Sequence, residues 1–151
     1  MRVQDVMTRG VKTVPVTATA DEAWTQMRMK RIHHLVVLDA RAMVGVISDR
    51  DMGGRGGAAV RNRRLVRELM TKGVITIAPD APVRKAANLL RGRSIGCLVV
   101  TDHGYVVGII TTADLLDLIG RGAERSVATS RRWTLNHRVP HRKRHQATGT
   151  W

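Results

Sequence analysis

The 151-residue chain has no phenylalanine, one tyrosine and three tryptophans, so whatever core it builds must be aliphatic. Its single cysteine, Cys97, excludes an internal disulfide and a cysteine-based zinc site, which fits a reducing compartment. No apolar run approaches the roughly 20 residues needed to cross a bilayer, and Met1-Arg2-Val3-Gln4-Asp5 lacks the apolar stretch of a signal peptide. A cytoplasmic protein is expected. Acids are also scarce: 12 Asp and Glu stand against 26 Lys and Arg, a net charge of +14. With 43% apolar and 25% charged residues the composition is that of a folded protein, of a length suited to one domain or two very small ones.

The charge is unevenly placed. From Arg121 onward eight bases face one acid, Glu124. The stretch Gly53 to Arg67 holds five arginines, four glycines and no acid, and reads as a flexible basic linker. Residues 121–151 read as a basic, flexible tail in which Trp133 and Trp151 could stack on bases. His137, His141 and His145 recur at helical spacing, but Val139-Pro140 breaks the stretch and four bases surround it, so no metal site is expected there.

What the chain does have is an internal repeat at a constant offset of 63 residues, with eighteen of the fifty pairs from Val3 to Met52 identical. Val6-Met7-Thr8-Arg9-Gly10-Val11 matches Leu69-Met70-Thr71-Lys72-Gly73-Val74. Leu35 to Asp39 falls on Leu98 to Asp102, and Val44 to Asp51 falls on Val107 to Asp114. Each copy predicts the same order of elements. A short extended piece (Thr13-Val14; Thr76-Ile77) precedes a turn. A helix comes next, with apolar positions at Ala20, Ala23, Trp24 and Met27, or at Val83, Ala86, Ala87 and Leu90. Two β-branched runs then form a hairpin, and Ser48 or Thr111, each with Asp three residues on, opens a second helix as an N-cap. A copy of about fifty residues exposes too much apolar surface to stand alone. Two copies packed sheet to sheet would share a core and create two equivalent clefts.

This β-α-β-β-α unit, ending in Gly-hydrophobic-hydrophobic-Ser/Thr-x-x-Asp and present twice, resembles a tandem pair of CBS domains, a Bateman module. The resemblance implies an α+β fold of two repeats related by pseudo-twofold symmetry, residues 1–57 and 58–120, with 53–67 as linker. It further implies homodimers and adenosine-containing regulatory ligands such as AMP, ADP, ATP or S-adenosylmethionine, with no required cofactor. Thr13, Thr76, Ile32, His34, Ile95 and Cys97 would then line adenine pockets. Ser48 and Thr111 would sit by phosphate, Asp51 and Asp114 would accept from ribose hydroxyls, and Arg50, with Arg31 and Arg93 behind it, would pair with phosphate.

The residues themselves agree with this role. A helix start offers unpaired N–H groups and the positive end of a dipole, a carboxylate one turn on can take two ribose hydroxyls, and Gly45 and Gly108 remove a side chain where a base or a backbone must approach closely. Read alone, Ser/Thr-x-x-Asp describes a capped helix equally well, and the four hairpin residues describe plain core. Catalysis has little support: Cys97 lies within an apolar run, and no Gly-rich phosphate loop is present. A binding module rather than an enzyme is expected. The alternative is a nucleic-acid-binding or structural dimerisation protein that uses the basic linker and tail.

Overall fold

The computed structural model describes residues 1–122. After a 3-10 turn at Val3–Asp5, the first repeat runs β1 (Thr13–Pro15), α1 (Ala20–Lys30), β2 (His34–Asp39) and β3 (Ala42–Ser48). Two short helices come after it, α2 (Ala58–Arg61) and α3 (Val66–Leu69). The second repeat runs β4 (Thr76–Ile77), α4 (Val83–Arg93), β5 (Cys97–Asp102), β6 (Tyr105–Thr111) and α5 (Thr112–Gly120). No helix among the described residues is long and apolar enough to cross a membrane.

Each repeat builds one three-stranded sheet, β1-β2-β3 and β4-β5-β6. The outer first strand is parallel to the middle one, with Thr13 opposite Val36 and Thr76 opposite Val99. The hairpins are antiparallel and in the same register, so that His34 faces Ser48 and Cys97 faces Thr111, and each carries an irregularity at the same place, Val37/Leu38 and Val100/Thr101. Helix α1 starts on a reciprocal pair between Thr19 and Glu22 and stops where Arg31 turns left-handed; α4 stops in the same way at Ser94.

Both faces of each middle strand are covered, which explains why these strands are unbroken apolar runs rather than alternating ones. Leu35 and Val37 point into the first core with Ala20, Ala23, Met27 and Ile47, while Leu98 and Val100 point into the second with Ala86, Leu90 and Ile110. Val36, Val46 and Val99 point the other way, into a third cluster between the sheets. The buried core residues are all Val, Leu, Ile, Met or Ala, as the lack of aromatics requires. Trp24 is half-buried against the first core.

The leading segments cross over. Val3 and Met7 belong to the second core, and the amide of Val3 donates to the Ala81 carbonyl at 2.8 Å. Val66 belongs to the first core, and its amide donates to the Ala18 carbonyl at 2.9 Å. Thr8 then pairs with Ile109 and Thr71 with Val46 through backbone hydrogen bonds, each extending the far edge of the other repeat's sheet. A Cβ on Gly45 would lie 2.8 Å from the Met70 sulfur and the Thr71 carbonyl oxygen, and one on Gly108 would lie 2.6 Å from the Met7 sulfur. The close neighbour that these two glycines admit is the other repeat's Met-Thr segment.

Two expectations are corrected. Ser48 opens no helix: it ends β3, and residues 49–54 are turns, because Gly53, Gly54, Gly56 and Gly57 deprive the segment of helix propensity. Nor are residues 53–67 a uniformly flexible linker, since they contain α2, the start of α3 and a buried arginine, Arg61.

Candidate functional site

Thr111 stands at the end of β6 in extended conformation and caps α5. Its hydroxyl accepts from the Asp114 amide at 3.2 Å, while the Asp114 carboxylate accepts from the Thr111 amide at 2.8 Å and from the Thr111 hydroxyl at 3.0 Å. The Thr8 hydroxyl, brought in by the crossed leading segment, donates to the other carboxylate oxygen at 3.3 Å.

The first repeat rebuilds this arrangement without the helix. The Ser48 hydroxyl accepts from the Asp51 amide at 3.1 Å, and Asp51 accepts from the Ser48 amide at 2.9 Å. The Thr71 hydroxyl lies 3.4 Å from each Asp51 oxygen. Each motif carboxylate is therefore bridged to the Met-Thr opening of the opposite repeat, and both sites are composite. In the sequence Thr8 and Thr71 stand out only as matched repeat positions, and this role was missed there. Their recurrence at the 63-residue offset was the available signal.

The starts of the two hairpins converge on the same region. A Cβ on Gly96 would lie 3.2 Å from the Nε2 of His34, so the repeats touch here. Burial holds the His34 imidazole below its ordinary value; His33 and Arg50 push in the same direction, and Asp49 and Asp51 push against it. Burial, aided by the charge of Asp51, pushes the Cys97 thiol up to about 11, so the group stays protonated and is no nucleophile at neutral pH. Beside them, exposed His33 meets Asp49 at 2.9 Å.

The other candidate residues are spread more widely. Thr13 is exposed and lines a cleft of about 620 Å³ with Val11, Val36, Leu38 and Arg41, facing Tyr105 of the second hairpin; no motif serine, threonine or aspartate lines it. Thr76 is likewise exposed on the equivalent strand. Ile32 and Ile95 are half-buried against the cores of their own repeats. Arg50 is exposed and lines a separate, shallow recess of about 440 Å³ with Asp49, Gly53 and Gly54. Arg31 and Arg93 are exposed at the ends of α1 and α4. No group of three or more His, Cys, Asp or Glu among the described residues is placed to hold a metal ion. His137, His141, His145, Trp133 and Trp151 lie outside the described residues.

Chemically, the arrangement offers two carboxylates, each fixed by short bonds from its own turn and capped by a longer one from a threonine. An ionised carboxylate has about four acceptor positions, and the contacts of 3.3 and 3.4 Å are the weak ones that a ligand hydroxyl could displace.

Comparison with known proteins places this geometry. The family model described as "CBS domain" matches twice, at residues 3–52 and 66–121. A CBS domain-containing protein of Dictyostelium discoideum is 31% identical over 130 residues, covering 78% of this chain and 90% of its own length. A homoserine O-acetyltransferase of Methanohalobium evestigatum is 33% identical over 119 residues, of which this chain spans 24% of the length. Among solved structures, the CBS domain pair of the protein MJ0100, in complex with 5′-methylthioadenosine and S-adenosyl-L-methionine, superposes with a TM-score of 0.73. It is 29% identical, over 82% of this chain and 98% of that one.

Proposed function

The chain belongs to the CBS domain family as a tandem pair, and from that premise we propose that it is a regulatory module, not an enzyme, that binds adenosine-containing ligands between its repeats. The observation that carries this reading is the reciprocal composite site, Thr8 on Asp114 and Thr71 on Asp51. Asp51 and Asp114 accept the ribose hydroxyls in place of the two threonines. Ser48 and Thr111 lie beside the phosphate or its substituent, Thr111 with the positive end of α5 behind it. Thr76, His34 and Cys97 border the base, with Ile32 and Ile95 supporting the strand starts, Thr13 belongs to its own cleft away from the motif residues, and Arg50 is the nearest arginine in sequence for an anionic group. The likeness to a domain pair in complex with 5′-methylthioadenosine and S-adenosyl-L-methionine supports adenosine as the shared chemistry.

Because each site draws on both repeats, a ligand that displaces the cross-repeat threonine bond changes how the repeats are tied to each other. Signalling needs differential affinity for two arrangements, and a composite cleft supplies the means. Exposed Leu116 and Ile119 on α5 support self-association as a homodimer.

A thermal-shift screen with AMP, ADP, ATP, S-adenosylmethionine and 5′-methylthioadenosine, against GMP as control, tests the reading. A ligand at a hundred times its Kd adds about 2.7 kcal/mol of stability. A rise with an adenosine compound and none with GMP is expected; no rise with any compound would remove the proposal.

A further inference from the structure

In the second repeat, the segment after the motif is a helix whose own amides satisfy its carbonyls. In the first repeat the equivalent residues are the glycine-rich turns 49–57, and two of their carbonyls are taken by one side chain. The Arg61 guanidinium donates to the Gly54 carbonyl at 2.7 Å and to the Met52 carbonyl at 3.1 Å. Arg61 is 5% exposed, its guanidinium carbon lies 4.0 Å from the centre of the Trp24 ring, and its Nε stands 3.7 Å from an Asp21 carboxylate oxygen. That Nε has no hydrogen-bond partner among the described residues, so its orientation is set by stacking and by the Asp21 charge. Met52, whose carbonyl it holds, is fully buried in the first core and directly follows Asp51. Gly57 is needed for the same fold of the chain, since a Cβ there would run into the backbone of Met52 and Gly53.

We infer that Arg61 is the positioning residue of the Ser48–Asp51 site: its buried guanidinium performs for the glycine-rich turns the work that helix α5 performs for itself. Both carbonyls are met by one terminal nitrogen, Nη1, while the flat face of the same guanidinium lies on Trp24; a lysine ammonium could reach the carbonyls but offers no planar face to stack. Loss of Arg61 frees the turns, lets Asp51 wander from Ser48 and Thr71, and leaves the Thr111–Asp114 site intact. The ligand part of this inference rests on the function proposed above, while the part concerning the turns does not.

The test is hydrogen–deuterium exchange on the full chain, wild type against Arg61→Met and Arg61→Lys, together with titration of AMP and S-adenosylmethionine. Amides of residues 52–57 should exchange at least tenfold faster in Arg61→Met and by a smaller factor in Arg61→Lys, with residues 112–118 unchanged. Affinity should fall about tenfold in an Asp114→Ala background, where the Asp51 site is read alone, and stay unchanged in an Asp51→Ala background. Should Arg61→Met fail to fold, Trp24→Leu removes the stacking while keeping the Nη1 donor and both carbonyls, and should still speed exchange at 52–57. Equal acceleration in both segments, or none at 52–57, overturns the inference. If neither compound binds the wild type while the exchange contrast appears, the positioning of the turns by Arg61 stands and the proposed function falls.

Discussion

The two repeats share one register and differ most sharply just after their motifs. Thr111-x-x-Asp114 starts a nine-residue helix, whereas Ser48-x-x-Asp51 starts a run of glycine turns held from outside by Arg61. The local hydrogen bonds of the two motifs are nonetheless nearly the same, 2.8 and 3.2 Å in one and 2.9 and 3.1 Å in the other. A hydroxyl and a carboxylate three residues apart therefore organise their own turn, with or without the helix they are said to cap. The stiffness of that turn is set by the next few residues of the chain, a helix in one repeat and glycines in the other.

The largest expected effects come from the crossed segments, which tie the repeats to each other. Met7→Ala removes a buried side chain from the second core and should cost about 2–5 kcal/mol. It should also loosen residues 77–110 before residues 14–47, although Met7 belongs in sequence to the first repeat; hydrogen exchange decides which half opens. Next in size, Gly108→Ala drives a methyl into Met7 and Gly45→Ala drives one into Met70, each expected to cost about 1–3 kcal/mol by urea denaturation. A neutral result at either glycine would contradict the close approach. Smaller still, Thr111→Ala loses a true helix cap, worth about 1 kcal/mol, and should lower Tm more than Ser48→Ala, where no helix depends on the hydroxyl. Equal losses would dissolve the distinction between the repeats.

The smallest contrast is in pH. Burial depresses the His34 pKa below 6.5 in the folded chain, so the unfolded chain takes up the proton first. The stability that neutral His34 contributes is fully present above about pH 6.5 and is lost as the pH falls through the depressed folded value. Cys97, at the equivalent position, has a thiol near 11 and gives no such slope in that window. Replacing His34 with Asn should flatten Tm against pH just below about pH 6.5; an unchanged slope would assign it to another group.

Much of this was legible in the residues. The strands and hairpins follow from Leu35 to Leu38 and Leu98 to Val100, and the identities at one offset carried the pairing of the repeats, while one shared core was expected where each repeat has its own and a third cluster joins them. The crossing of the leading segments was not legible, because Met7 and Met70 look alike and sequence alone does not say which core each fills. Arg61 looked like one of five solvated linker arginines, and its burial depends on Trp24 and Asp21, some forty residues earlier. The helix expected after Ser48 failed because a local capping signal was weighed without the four glycines behind it. At the site, the motif pairs were found from spacing, while the threonines that complete them arrive only through the tertiary exchange.

The central claim is that Asp51 and Asp114 each anchor an adenosine ligand in a site built from both repeats. Isothermal titration of S-adenosylmethionine and AMP into the wild type, Asp51→Ala, Asp114→Ala and the double variant tests it most directly. The account predicts that each single variant weakens binding at one site by at least tenfold and that the double variant abolishes it. Wild-type affinity and stoichiometry in the double variant would contradict it.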